Sequence, residues 1–137
     1  MHKKYTRMLI MTSLFMVILA SCGGSGKDPL EGTSWVLISY NKSNALPGTS
    51  ITLSFQDGQV RGSAGCNSYG GSYQVAEDKI EVGALAITEM ACLEPEGVMD
   101  QETTFVQFMQ AGERFQLQDG RLLIFRADGE ALTFEPQ

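Results

Sequence analysis

The chain has 137 residues, of which 43% are hydrophobic, and its 10 basic and 16 acidic residues give a net charge of −6. This is enough apolar sequence for the core of one domain. Nucleic-acid phosphates are bound by clustered Lys and Arg, and the bases here cluster only at the extreme N-terminus, so the composition excludes nucleic acid as a partner.

Residues 1–21 have the pattern of an export signal. Lys3, Lys4 and Arg7 precede an apolar run over residues 8–20, which is too short to span a bilayer but fits a secretory signal peptide. Leu19, Ala20 and Ser21 precede Cys22, which resembles the lipobox of bacterial lipoproteins, where cleavage occurs before a lipid-bearing cysteine. An ordinary signal peptide and an uncleaved anchor are the alternatives.

Cleavage before Cys22 would change the composition of the working molecule. It removes three basic residues, which takes the net charge from −6 to −9, and it removes His2, the one histidine. Several acyl chains on Cys22 would hold the protein firmly on a membrane, whereas one chain gives marginal binding. We expect residues 22–29, which are rich in glycine, to form a flexible tether, and residues 30–137 to form the domain.

The domain alternates apolar and polar residues, as β-strands do. We predict strands over residues 33–40, 50–55, 60–64, 72–75, 79–82, 85–88, 114–117, 122–126 and 131–135. Three Asp-Gly pairs predict tight turns with positive φ, at Asp57-Gly58, Asp119-Gly120 and Asp128-Gly129. The expected fold is mainly β, an antiparallel sheet that curls into a small barrel.

One segment is predicted to be helical. Between residues 95 and 112, apolar side chains recur at helical spacing, namely Val98, Phe105, Phe108 and Met109. The helix should begin near Gly97 and end at Gly112, with Asp100 and Glu102 in its first turns, where the helix dipole favours acids. The apolar stripe is expected to pack against the sheet or over a barrel mouth, and a partner-binding face is the alternative.

Residues 58–73 are rich in glycine, and this predicts bulges or close backbone approach, with Asn67 capping a bend. Several short motifs occur in this part of the chain and around it. They are Gly32-Thr33 with Trp35, then Gly65-Cys66-Asn67 followed by Gly71 and Tyr73, and finally Thr88, Met90 and Cys92. Glu102, Phe105 and the closing Leu132-Thr133-Phe134 complete the set.

With these motifs, residues 30–135 resemble the META domain family, which includes HslJ-type bacterial envelope lipoproteins. The resemblance implies a small antiparallel β-barrel of lipocalin-like topology with one packed helix, and a structural role for the motif residues. It further implies a general link to envelope stress and antibiotic tolerance. It implies no enzymatic reaction.

The cysteines other than Cys22 form an even pair. In an oxidising compartment, Cys66 and Cys92 favour a disulfide that closes a 26-residue separation. Two buried free thiols and a redox-active or metal-binding pair are the alternatives. Because a structural zinc site takes four Cys or His ligands, and the mature chain would contain no histidine, we expect neither a metal nor a cofactor.

Catalytic candidates are few. Without histidine, Ser-His and Cys-His nucleophilic systems are excluded. The carboxylates of Glu89, Glu94 and Glu96 remain, but such loop acids are more typical of a solvated surface. Trp35 and Tyr73 are expected to fill the core, and the alternative is that they line a ligand cavity.

The predicted function is therefore a non-enzymatic, lipid-anchored envelope module that contacts an envelope protein through exposed loops. Such a module needs a filled barrel and an apolar surface patch. The alternative is a carrier of a small hydrophobic ligand, which needs an internal cavity of about 300 Å³ or more. Gly23 follows Cys22, and resemblance to lipoprotein sorting in Gram-negative envelopes then implies the outer membrane.

Overall fold

The computed structural model describes residues 26–41 and 43–137; the predicted signal peptide and Cys22 lie outside them. Within the described residues the chain forms ten strands and one helix. In chain order these are β1 (Ser34–Tyr40), β2 (Ser43–Asn44), β3 (Thr52–Gln56), β4 (Gln59–Ser63), β5 (Ser68–Ala76), β6 (Lys79–Val82), β7 (Ala86–Ile87), α1 (Val98–Gln110), β8 (Gly112–Gln118), β9 (Arg121–Arg126) and β10 (Ala131–Pro136).

Eight of the strands form a closed antiparallel barrel, as the sequence predicts. Their spatial order is β1, β3, β4, β5, β6, β8, β9 and β10, and the pairing of β10 with β1 closes the barrel. The short strands lie off this circuit, because β2 pairs with β1 and β7 pairs with β5. The closed circuit leaves no free edge between its first and last strands.

Alternation along the strands builds the core. In β3, Leu53 and Phe55 are buried while Ser54 between them is half-exposed, and in β9 Leu122 and Ile124 are buried. Successive side chains in a strand point to opposite faces, so each strand sends every second residue into the barrel. The period of two in the sequence therefore defines the inside of the barrel.

The predicted elements differ from the observed ones at a few places. Strand β5 begins at Ser68, four residues before the predicted start, because its two glycines are accommodated within the strand. Asp57 and Asp119 have the positive φ predicted for their turns, whereas at the third Asp-Gly pair only Gly129 does. That connection is longer, since the N–H of Arg126 donates to the carbonyl of Glu130.

The helix ends two residues before the predicted end at Gly112. The helix stops at Gln110 with Ala111 as its C-cap, and Gly112 is instead the first residue of β8. A Cβ at Gly112 would lie 2.8 Å from the Ile124 side chain, so the glycine allows the chain to leave the helix and enter the barrel wall. Close packing, and not a left-handed cap, explains this glycine.

Because neighbouring strands run antiparallel, the connections collect at two ends of the barrel. The helix end carries residues 41–51, 64–67, 83–97 and 127–130, together with α1. The tether end carries residues 26–33 and the tight turns at 57–58, 77–78 and 119–120. Long connections and the helix thus lie at one end of the barrel, and short turns and the N-terminal segment lie at the other.

Candidate functional site

Helix α1 fills the helix end of the barrel. Its predicted apolar stripe, Val98, Phe105, Phe108 and Met109, is buried. The Phe105 ring packs edge-on against the Tyr69 ring with centroids 5.3 Å apart, and Tyr69 donates a hydrogen bond from its hydroxyl to the carbonyl of Thr52 at 2.8 Å. The stripe is therefore core, and it is not available as a partner-binding face.

The first motif closes the tether end. Leu30 is fully buried there, and the N–H of Gly32 donates to the carbonyl of Phe55 at 2.8 Å. The Thr33 hydroxyl donates to the carbonyl of Leu30 at 2.5 Å and accepts from the indole N–H of Trp35 at 2.7 Å. Gly32, Thr33 and Trp35 thus form a local cap over this mouth.

Tyr73 lies under the same cap. Its ring packs edge-on against Phe55 at 4.7 Å, and its hydroxyl lies 2.6 Å from Asp28 Oδ2 and 3.1 Å from Glu31 Oε2. Burial, followed by these hydrogen bonds and charges, raises the pKa of the Tyr73 phenol above its usual range. The folded contacts therefore begin at Asp28, inside the segment predicted to be a tether.

The barrel interior is packed with large side chains. Trp35 and Tyr73 are buried members of the core, together with Phe55, Tyr69, Phe105, Phe108, Phe115 and Phe134. Two grooves of about 520 and 700 Å³ are lined mostly by exposed residues of β5, β6, β8 and the segment 26–29, so they belong to the outer surface. The filled interior supports the core interpretation of Trp35 and Tyr73.

The remaining motifs converge at the helix end on the side chain of Asn67, which is only 2% exposed. Its Oδ1 accepts from the N–H of Met90 at 2.7 Å and from the hydroxyl of Thr88 at 2.8 Å. Its Nδ2 donates to the carbonyl of Met90 at 3.0 Å and to Glu102 Oε1 at 2.7 Å. All the hydrogen-bonding capacity of the amide is used, and its orientation is fixed.

Glu102 holds Asn67 from the other side. The carboxylate is 5% exposed, and its second oxygen accepts from the backbone N–H of Asn67 at 2.6 Å. A buried carboxylate is costly unless its oxygens are hydrogen-bonded, and here both are. From the sequence, Glu102 is expected to interact with the helix dipole. Its contacts show that it holds Asn67.

The neighbouring Gln101 also fixes a connection at the helix end, in this case residues 41–51, although the sequence motifs do not include it. It is buried, it accepts from the N–H of Leu46 at 2.6 Å, and it donates to the Thr49 hydroxyl at 3.0 Å. Two adjacent polar residues between Val98 and Phe105 on an otherwise apolar helical face are the signal that could have indicated this. Buried polar side chains on such a face need partners.

The segment from residue 88 to residue 94, which we name the Met90 loop, is fixed at Thr88 and at Cys92. A disulfide joins Cys92 to Cys66, with Cα atoms 5.9 Å apart, and the N–H of Ser68 donates to the Thr88 hydroxyl at 3.1 Å. Between these points Asn67 holds the backbone of Met90. The loop nevertheless exposes its apolar side chains, with Met90 57% and Leu93 86% accessible.

Two motif glycines allow this arrangement. Gly65 has φ +110°, a conformation that L side chains rarely adopt, and it directly precedes the disulfide. At Gly71 a Cβ would lie 2.7 Å from the carbonyl oxygen of Ala84 and 2.9 Å from the Leu85 side chain. Glycine at this position lets the chain that leads into the Met90 loop lie directly on β5.

The candidate catalytic acids lie in the connection before α1 and at the start of the turn that leads into it. Glu89, Glu94 and Glu96 are exposed. Among the described residues, no three His, Cys, Asp or Glu side chains group as metal ligands. Nor does any helix in residues 26–41 and 43–137 combine the length and hydropathy needed to cross a membrane.

Solved structures show the same fold. The chain is 28% identical to a protein from Burkholderia xenovorans studied by NMR, with a TM-score of 0.68 over 79% of this chain and 83% of that one. A second NMR structure matches at 23% identity and a TM-score of 0.64, covering 78% and 91%. A crystal structure of a DUF4847 family protein from Bacteroides vulgatus ATCC 8482 matches at 11% identity and a TM-score of 0.56, covering 78% and 94%.

The last two likenesses show the fold alone. No curated protein matches the chain at a significant level. The family model described as the META domain matches residues 28–137, which includes both ends of the barrel and begins at Asp28, where the folded contacts begin. The chain belongs to the META domain family.

Proposed function

We propose that this chain is an HslJ-type, lipid-anchored, non-enzymatic binding module of the bacterial envelope, and that its Met90 loop docks on another envelope protein. One observation carries the proposal. The backbone of Met90 is held on both sides by a buried side chain, while its own side chain is 57% exposed. The fold needs the position of residue 90 but not an apolar side chain there.

The geometry of the loop suits recognition. Binding normally costs the entropy of ordering the contact residues, and a loop already fixed by a disulfide and by Asn67 has lost most of that freedom. A methionine side chain adapts to irregular apolar surfaces. Met90 and Leu93 thus present apolar surface on a rigid support.

The first residue with folded contacts and the Met90 loop lie at opposite ends of the barrel. Asp28 is bound to Tyr73 at the tether end, whereas the Met90 loop is at the helix end. A lipid on Cys22 is six residues from Asp28, a span of at most about 20 Å. Such an anchor would turn the tether end toward its membrane and the Met90 loop away from it.

The cellular setting of the proposal rests on the sequence. The lipobox-like residues before Cys22 support lipidation, and Gly23 supports export to the outer membrane. A role in stress or antibiotic tolerance is implied by resemblance to the family. The filled interior disfavours the alternative of a carrier, because a carrier needs an internal cavity of about 300 Å³ or more.

Affinity capture with matched variants tests the proposal. We expect the mature protein to retain one specific envelope protein, and Met90→Ala with Leu93→Ala to abolish its retention while changing the free energy of unfolding by less than about 0.5 kcal/mol. Leu117→Ala is the control, since Leu117 is also exposed (47%) but lies near the tether end. Equal retention by all variants would contradict the proposal.

A further inference from the structure

The Met90 loop is apolar and also acidic. Glu89 directly precedes Met90, Glu94 directly follows Leu93, and all of these side chains are exposed. Glu96 and Asp100 add two more exposed acids before the first turns of α1 are complete. From residue 80 to residue 113 the sequence contains no lysine and no arginine.

Arg126 lies at the same end of the barrel, but its charge is already paired with other acids. Arg126 is paired with Asp128 and, at 3.7 Å, with Glu130, and its guanidinium lies 5.1 Å from the centre of the Phe108 ring. The backbone N–H of Glu130 and the guanidinium of Arg126 lower the pKa of Asp128, so this group stays ionised at neutral pH. Within the part of the chain that the structure describes, Arg126 is thus engaged by acids of its own connection, and the Met90 loop itself has exposed acids and no basic residue beside its apolar side chains.

We propose, on the basis of the proposed function, that the docking segment of the partner is a basic, apolar polypeptide, with lysine or arginine flanking large apolar side chains. Met90 and Leu93 would contact the apolar side chains, and Glu89, Glu94 and Glu96 would face the bases. Charge complementarity of this kind raises the rate of association and rejects acidic partners. An anionic lipid surface is disfavoured, because the same acids repel it.

Two synthetic peptides test this chemistry on the mature chain, residues 22–137 with Cys22→Ser. Both peptides have leucines at helical spacing, and one has lysine and the other glutamate at its polar positions. We expect the lysine peptide alone to bind, with an affinity that falls as salt is raised. Replacing Glu89, Glu94 and Glu96 by Gln should weaken binding about tenfold, as expected for three exposed ion pairs.

A matched control keeps the net charge equal. Asp57→Asn, Asp119→Asn and Glu77→Gln remove three acids at the tether end. Asparagine tolerates the positive φ of residues 57 and 119 well, and glutamine keeps the length and shape of the Glu77 side chain. This variant should bind the lysine peptide as the unmodified chain does. An equal loss in the two triple variants would overturn the proposal, because it would reduce the effect to net charge.

Other outcomes separate the two proposals. Equal binding of the lysine and glutamate peptides, together with retention of an envelope protein that depends on Met90 and Leu93, would overturn the basic partner and leave the docking loop in place. Stronger binding to vesicles of phosphatidylglycerol and phosphatidylcholine than to the lysine peptide would overturn the polypeptide partner. If the unmodified mature chain binds neither peptide and retains no envelope protein, both proposals are overturned.

Discussion

The side-chain amide of Asn67 hydrogen-bonds both the N–H and the C=O of Met90, at 2.7 and 3.0 Å. One side chain thus satisfies both backbone hydrogen-bonding groups of Met90, as a neighbouring strand does in a sheet. Glu102 in turn fixes Asn67 by accepting from its backbone N–H and from its side-chain amide. The position of an exposed residue is thus set by two buried polar residues on different elements.

This relationship predicts that Asn67→Asp is strongly destabilising although it conserves shape. The new oxygen would face the Met90 carbonyl and the Glu102 carboxylate, so two donors become acceptors. We expect a loss of about 2–3 kcal/mol in the free energy of unfolding, measured by urea denaturation. Asn44→Asp, the same change at an exposed position of β2, should cost less than about 0.5 kcal/mol.

Glu102→Gln tests the other half of the pair. An amide NH₂ in place of one carboxylate oxygen would face an N–H of Asn67, and this buried donor would lose its acceptor. The expected cost is about 1–3 kcal/mol. A stability equal to that of the unmodified protein would mean that Glu102 is not needed to position Asn67.

The disulfide between Cys66 and Cys92 predicts a redox-dependent stability. Closing a 26-residue separation restricts the unfolded chain, and reduction should lower the free energy of unfolding by about 3 kcal/mol. The Cys66→Ser, Cys92→Ser variant should match the reduced protein and should not respond to reductant. Two reactive thiols in the unfolded, unreduced mature protein would rule out the disulfide.

The buried tyrosines predict alkaline unfolding. Burial raises the pKa of the Tyr69 phenol above its usual value of 10.0, and Tyr73 shifts in the same direction. A folded protein that keeps protons which the unfolded chain releases loses stability as pH rises, so the contribution of the two tyrosines to the free energy of unfolding should be constant below about pH 10 and fall above it. In ¹³C NMR, the Cζ signals of both rings should titrate only when circular dichroism reports unfolding. Titration near pH 10 in a folded protein would contradict this.

Lipidation predicts a simple outcome for Cys22→Ala. The variant should incorporate no labelled palmitate and should move from the membrane fraction to the soluble fraction. The Cys66→Ser, Cys92→Ser variant, which keeps Cys22, should still be labelled. Label on the Cys22→Ala protein would show that the lipobox resemblance is misleading.

Most of the fold could be predicted from local pattern. The alternation in β3 and β9 and the helical stripe of α1 each report burial directly, because burial follows from the period of the element. The place of the turn between β5 and β6 could be predicted from the flanking strands, but its conformation could not, since Glu77 and Asp78 lack the usual glycine and Glu77 has positive φ. Tertiary pairing, and not local propensity, imposes that turn.

The candidate site could be predicted less completely. The sequence identifies its motif residues but not their partnership, because Asn67 and Glu102 are 35 positions apart and meet only once the helix plugs the barrel. The exposure of Met90 is likewise invisible in the sequence, since an apolar residue between Thr88 and Cys92 suggests burial. Long-range contacts decide both features.

Photo-crosslinking in intact cells tests the docking loop most directly. A photoreactive amino acid is placed at residue 90 or 93, and in separate chains at residue 117 as the control at the opposite end. We predict one discrete protein adduct from positions 90 and 93 and none from position 117. An adduct from position 117 alone, or the same adducts from all three positions, would contradict the assignment of the Met90 loop as the binding site.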